Sequence, residues 1–137
     1  MLNFYSGKSI TEIRIKILQR MCSMEMDVKK IEGITIVKPR FARIDAPIST
    51  EFKGYLVDLI NNGNNRIILN LNNVTFVDSS GLGVMIALFK TLKDKGQLAL
   101  CEIKSPIMQL FTLTRTDRIF SIYHLESEAL EAFNVVK

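Results

Sequence analysis

The chain has 137 residues, 47% of them hydrophobic and 23% charged, with a formal net charge of +4. That length suits one domain and buries roughly two-thirds of the surface its unfolded chain would expose, so neither a disulfide nor a metal staple is required. No run of 18 apolar residues occurs, which argues against a transmembrane helix. Glu12, Arg14, Lys16, Gln19 and Arg20 break the stretch 10–21, which does not read as a secretory leader, so a cytoplasmic protein is expected.

The charge is unevenly placed. Residues 1–23 carry Lys8, Arg14, Lys16 and Arg20 against Glu12 alone, which is +3 of the total and leaves the rest of the chain at +1. A near-neutral main domain argues against direct nucleic-acid binding. The chain therefore divides into an extension, residues 1–23, and a domain, residues 24–137. Within the extension, Ile10, Ile13, Ile17 and Met21 have helical spacing, while Ile13, Ile15 and Ile17 alternate as in a strand; both readings stay open. Met24 or Met26 is a candidate translation start. Of the two cysteines, Cys101 sits in an apolar run, and the pattern suits a reducing compartment better than a Cys22–Cys101 disulfide.

From residue 26 to 38, two short strands are expected around a Glu32-Gly33 turn. Pro39 and Pro47 flank a loop that carries Asp45, and Ser49 or Thr50 is a suitable helix N-cap. Phe52, Tyr55, Leu56, Leu59 and Ile60 form an apolar stripe at helical spacing, stopped by the polar turn 61–65. Arg66 to Leu71 reads as a strand covered on both faces. Val74-Thr75-Phe76-Val77 leads into Asp78, and a helix is expected from about Ser80 to Lys95, with Gly96 at its left-handed C′ position. Another strand follows over 98–103. Ser105-Pro106 reads as an N-cap and N1 proline opening a helix to about Thr114, with Ile107, Met108 and Phe111 inward. A short strand over 119–123 and a helix over 126–135 complete the chain. Strands alternating with helices predict an α/β sandwich, with helices packed on a mixed sheet.

The junction Asp78-Ser79-Ser80-Gly81 is the most informative stretch. Asp78 or Ser79 can cap the free N–H groups of the helix start, and Gly81 and Gly83 omit side chains where something approaches the backbone. A helix N-terminus tolerates negative charge, so a phosphate on Ser79 would fit the fold while adding about −1.5 to −2 charges. A plain cap explains the same pattern equally well. On the helical wheel, Leu82, Met85, Ile86, Phe89 and Leu92 share one arc, whereas Val84 and Leu88 fall off it. Those two are either exposed apolar groups of a docking patch or are covered by a neighbouring element.

Other chemistries lack their parts. His124 is the only histidine, so a Ser-His-Asp triad would depend on it, and nothing links it to Ser79. One histidine and two distant cysteines do not make a metal site. No glycine-rich nucleotide motif occurs and no cofactor is expected. Asp45 lacks a carboxylate partner for acid–base work, and a loop cap explains it as well.

Residues Val77-Asp78-Ser79-Ser80-Gly81-Leu82-Gly83-Val84 strongly resemble the signature of the STAS domain, and specifically of the bacterial anti-sigma factor antagonists. Ile44-Asp45-Ala46 resembles the early loop of that family, Ile67-Ile68-Leu69-Asn70-Leu71 its central strand, and Lys95-Gly96-Gln97-Leu98 the turn after the site helix. The segment 106–113 resembles a later helix, so the resemblance spans about residues 26–135. It implies a STAS-type sandwich, with a mixed four- to five-stranded sheet and about four helices mainly on one side. It also implies a non-enzymatic anti-sigma factor antagonist with Ser79 as phospho-acceptor. The partner surface would draw on Asp45, Asp78, Ser79, Ser80, Gly81, Leu82, Gly83, Val84 and Leu88. The partner would be a serine-kinase anti-sigma factor, and a serine phosphatase would reset the switch. A second reading within the family is a module of a signalling scaffold or of a membrane transport complex. The sequence departs from the family at Ala42, where glycine is usual, and Arg40 and Arg43 make the early loop basic.

Overall fold

The computed structural model describes residues 25–134. The extension 1–23, with Cys22 and the two readings of its isoleucines, lies outside the described residues. Strands β1 (Met26–Ile31) and β2 (Ile34–Pro39) form an antiparallel hairpin in which Ile31 faces Ile34. Glu32 (φ 49°) and Gly33 (φ 82°) are both left-handed. Two positive φ angles in a two-residue loop match the right-handed twist of the strands they join.

Arg43–Ile44 forms β3, and helix α1 runs from Ala46–Asn61. The N-cap expected at Ser49 or Thr50 is corrected here. Asp45 is the cap residue, with extended backbone (φ −130°, ψ −176°). Pro47 stands in the first turn, where its missing N–H costs nothing, and Ser49 is buried within the helix. The stripe Phe52, Tyr55, Leu56, Leu59 and Ile60 is buried as expected. Asn64, in the turn that follows, is itself buried. Its amide donates to the Leu59 carbonyl at 2.9 Å, and its Oδ1 accepts from the Thr35 hydroxyl at 3.2 Å, so its polar atoms are partnered in the core.

Strand β4 (Arg66–Asn70) is central, and Ile67, Ile68 and Leu69 are wholly buried. Next come β5 (Phe76–Val77), α2 (Ser79–Leu92), β6 (Gln97–Cys101), α3 (Ser105–Thr114), a 3-10 turn over Thr116–Arg118, β7 (Ser121–Tyr123) and α4 (Glu126–Asn134). Lys104 rather than Ser105 is the cap residue of α3. Gly96 is not left-handed. A Cβ there would collide with the Asn65 carbonyl oxygen, so close approach of two turns explains that glycine.

The main sheet has the order β1-β2-β4-β6-β7. β1 is the antiparallel edge, and the other four strands run parallel. β3 and β5 pair in parallel as a small sheet of their own, Arg43 opposite Phe76 and Ile44 opposite Val77. Side-chain alternation splits the core in two. Val37, Ile67, Leu69 and Leu100 face Phe52, Leu56, Met85, Leu88 and Phe111 from α1, α2 and α3. Ile34, Ile36, Ile68, Ala99 and Cys101 face Ala129 and Phe133 of α4. Among the described residues the result is a mixed sheet of five strands with four helices, three of them on one side.

Candidate docking site at the start of helix α2

Asp78 ends β5 and caps α2 in extended conformation (φ −99°, ψ −172°). Its Oδ1 accepts the Gly81 amide at 3.0 Å, and its Oδ2 accepts the Ala46 amide at 3.1 Å. One carboxylate thus ties together the first turns of α1 and α2. Its own amide donates to the Ile44 carbonyl at 3.3 Å, which anchors it to β3. The Gly81 amide above all, with those of Ala46 and Ser80 and the charge of Arg43, holds the carboxyl below the usual carboxylate range against a smaller opposing effect of burial. Asp78 is therefore an ionised structural clamp, and a poor base.

Gly81 is required by this arrangement. A Cβ on it would strike the Ile44 carbonyl oxygen and come within 2.8 Å of the Ile44 Cγ2 and 3.0 Å of the Val77 Cγ1. Gly83 differs, because a Cβ there meets nothing within 4 Å and the position is exposed. Ser79 is the first residue of α2. It is exposed, and its hydroxyl makes no hydrogen bond among the described residues.

Beside it stands the small β3–β5 sheet. Phe76 is 39% exposed, and the Arg43 guanidinium lies over its ring at 4.1 Å from the centroid. Arg43 Nε donates to Asp45 Oδ2 at 3.1 Å. Asp45 makes no side-chain cap bond to α1, so its carboxylate serves Arg43 instead. The β3–β5 sheet that leads into Ser79 thus carries a guanidinium on an aromatic face, paired with the carboxylate of Asp45, the cap residue of α1. No acid–base partner for the Ser79 hydroxyl is among them. His124 is exposed, and its backbone amide donates to Glu128 Oε1 at the start of α4. Among the described residues, no group of three histidine, cysteine or acidic side chains is placed to hold a metal ion.

The family model for the STAS domain matches residues 25–129. The chain belongs to the STAS domain family. It is 38% identical over 72 residues to the anti-sigma F factor antagonist of Paenibacillus polymyxa, a match that spans 52% of this chain and 62% of that one. It is 32% identical over 105 residues to a protein of Thermotoga neapolitana provisionally named as an anti-sigma factor antagonist, covering 75% of this chain and 92% of the relative. A crystal structure of a provisionally named anti-sigma factor antagonist from Thermotoga maritima has a TM-score of 0.75 at 30% identity, covering 78% of this chain and 92% of that one.

Within this STAS domain the candidate residues separate into two sets. Asp45, Asp78, Ser79, Ser80 and Gly83 reach the surface at least in part; the last four lie at the start of α2, and Asp45 caps α1, whose first amide is bound by Asp78. Gly81, Leu82, Val84 and Leu88 are buried. Of the two readings left open for Val84 and Leu88, the structure supports coverage by neighbouring elements and not an exposed patch, because both belong to the main core. Gly81 lets α2 sit close against Ile44, which turns the edge of the helix that carries 84 and 88 inward. Phe76 was not foreseen. Its signal is the pair Val74 and Val77, buried on either side of it, which leaves Thr75 and Phe76 outward. Ala42, where the family has glycine, lacks a positive φ and needs no glycine. Its carbonyl accepts the Thr75 amide at 2.7 Å.

Proposed function

We propose that this STAS domain is an anti-sigma factor antagonist that binds a serine-kinase anti-sigma factor while Ser79 is unmodified, frees a sigma factor, and is released when Ser79 is phosphorylated. The observation that carries the reading is the exposed, unengaged hydroxyl of Ser79 on the first residue of α2, held there by a carboxylate whose two oxygens are already committed. The names of the relatives support the class of function. On this reading the chain is a regulatory binding module and the chemistry belongs to its partner. The Ser79 oxygen forms a bond to the γ-phosphorus of ATP, the bond from that phosphorus to the bridging oxygen breaks, ADP leaves, and the hydroxyl proton passes to a base on the kinase. The product carries about −1.5 to −2 charges, which the positive end of the α2 dipole tolerates and a fitted partner surface does not.

Incubation with a serine-kinase anti-sigma factor and ATP should add one phosphate to the chain by mass, and Ser79→Ala should add none. Labelling that survives in Ser79→Ala would overturn the assignment of the acceptor. Ser79→Asp should weaken binding to the anti-sigma factor by about 1–3 kcal/mol, the usual scale of an unpaired charge in an interface. Unchanged affinity would place Ser79 outside the contact.

A further inference from the structure

Arg43 has donors to spare. Nε is engaged by Asp45, whereas its two Nη groups have no acceptor among the described residues. The side chain is 59% exposed and leaves β3 directly beside β5, the strand that runs into Ser79. Its charge already acts on Asp78, the neighbour of Ser79. The other arginine of the loop, Arg40, is committed elsewhere, to Asp27 at 2.7 Å and Glu25 at 3.3 Å. Lys90 lies eleven residues along α2 from Ser79, roughly 16 Å at the helical rise, and so cannot serve this end.

Building on the phosphorylation reading above, we propose that Arg43 is the internal receptor of the Ser79 phosphate, exchanging Asp45 and the Phe76 ring for the phosphoryl oxygens. An exposed arginine–carboxylate pair contributes at most about 1 kcal/mol, and a guanidinium binds a phosphate with stronger, two-pronged hydrogen bonds. The phosphate is tethered next to Asp78, on which the Arg43 charge already acts, and outcompetes Asp45 for the guanidinium. Modification then does more than add negative charge. It withdraws the guanidinium from Phe76, frees the Asp45 carboxylate and rewrites the exposed surface on the β3–β5 side of Ser79. The unmodified domain presents a cation on an aromatic face, and the modified one presents one unmatched acid, Asp45, and a bare ring.

The test uses the chain with phosphoserine installed at position 79 during translation, so it does not depend on any kinase. The phosphate is titrated by 31P NMR, and the Arg43 Nε–Hε resonance is followed in parallel. The carboxylates of Asp45 and Asp78 face the phosphate from the β3–α1 junction and the α2 cap. Both raise its second pKa, and Arg43 lowers it. Arg43→Gln should raise that pKa by at least about 0.3 units relative to the unsubstituted chain. Arg43→Lys, which keeps the charge, should restore most of the difference. The Arg43 Nε–Hε resonance should move on phosphorylation of the unsubstituted chain. Equal pKa values in the unsubstituted chain and Arg43→Gln, with an unmoved arginine resonance, overturn the proposal while the kinase reading stands. Failure of a kinase to label Ser79 would overturn that reading and leave this titration intact.

Discussion

At the scale of single residues, the site rests on a division of labour between Asp78 and Ser79. Adjacent in sequence, both are hydrogen-bonding types suited to a helix cap, and the sequence leaves open which of them caps. The structure decides it, because Asp78 takes the Gly81 and Ala46 amides and Ser79 is left exposed. What the sequence could not supply was the second amide, since Ala46 is 32 residues away and reaches Asp78 only through the β3–β5 pairing. The depressed pKa of Asp78 has a sign that can be checked. A carboxyl whose folded pKa lies below its unfolded value adds stability at pH above the unfolded value, near 4, and that stability is lost as pH falls through the folded value. Asp78→Asn should therefore be less stable than the unsubstituted chain at neutral pH, with the difference shrinking below pH 4 in denaturant melts. A difference that grows on acidification would mean that the carboxylate is not the stabilising form. Glu32 is a simpler case. It holds a left-handed φ of 49° in the β1–β2 turn. Asparagine tolerates that conformation better, so Glu32→Asn should raise stability by about 0.5–1 kcal/mol in the same melts.

At the scale of elements, the α1 stripe, the central strand β4 and the β1–β2 hairpin were legible, because periodicity and turn residues report local structure directly. The cap of α1 was not, because Pro47 reads as a loop breaker although the first helical turn accepts it. The buried face of α2 was left open at Val84 and Leu88 for a tertiary reason. A wheel finds the widest apolar arc, but α2 packs under α1 as well as on the sheet, and Gly81 allows the close approach that draws Val84 and Leu88 inside. The two glycines of this helix therefore make opposite predictions. Gly81→Ala should cost about 1–3 kcal/mol, the range for forcing atoms into a packed site, because the obstacle is the backbone of Ile44. Gly83→Ala should gain about 0.5–1 kcal/mol, the penalty of glycine inside a helix, because nothing lies in the way. Denaturant midpoints measure both. If the exposed glycine is kept for a partner that approaches the helix, Gly83→Ala should also weaken anti-sigma factor binding while stabilising the fold. Gain of stability with unchanged binding would remove Gly83 from the contact surface.

At the scale of the whole molecule, the described helices are shared unequally between the two sides of the sheet, and the site belongs to the side with three of them. Among the described residues, three helices close over the first side, whereas α4 alone covers Ile34, Ile36, Ile68, Ala99 and Cys101. Arg66 pins α4 down. Its Nη2 donates to the Phe133 carbonyl at 2.6 Å, and its Nε donates to Gln97 Oε1 at 2.8 Å, bridging the last helix to β6. Cys101 lies beneath this lid, fully buried, with its thiol pushed up to about 12, first by burial and then by Glu102 and Glu126. At pH 8 the closed state therefore offers almost no thiolate, and alkylation reports openings of the α4 side. Removing a charged hydrogen-bond donor from a partly buried contact costs about 1.5–3 kcal/mol. If that energy holds α4 against the sheet, Arg66→Ala should label Cys101 at least about tenfold faster, since 1.4 kcal/mol corresponds to a factor of ten in the open population. The experiment is done in a Cys22→Ala background, so that position 101 is the thiol measured. The α2 side should not share this loosening, because its helices are clamped through Asp78 and not through α4. Labelling that speeds up in step with global unfolding would show that α4 opens only when the whole domain does. An unchanged rate would show that Arg66 does not hold the lid.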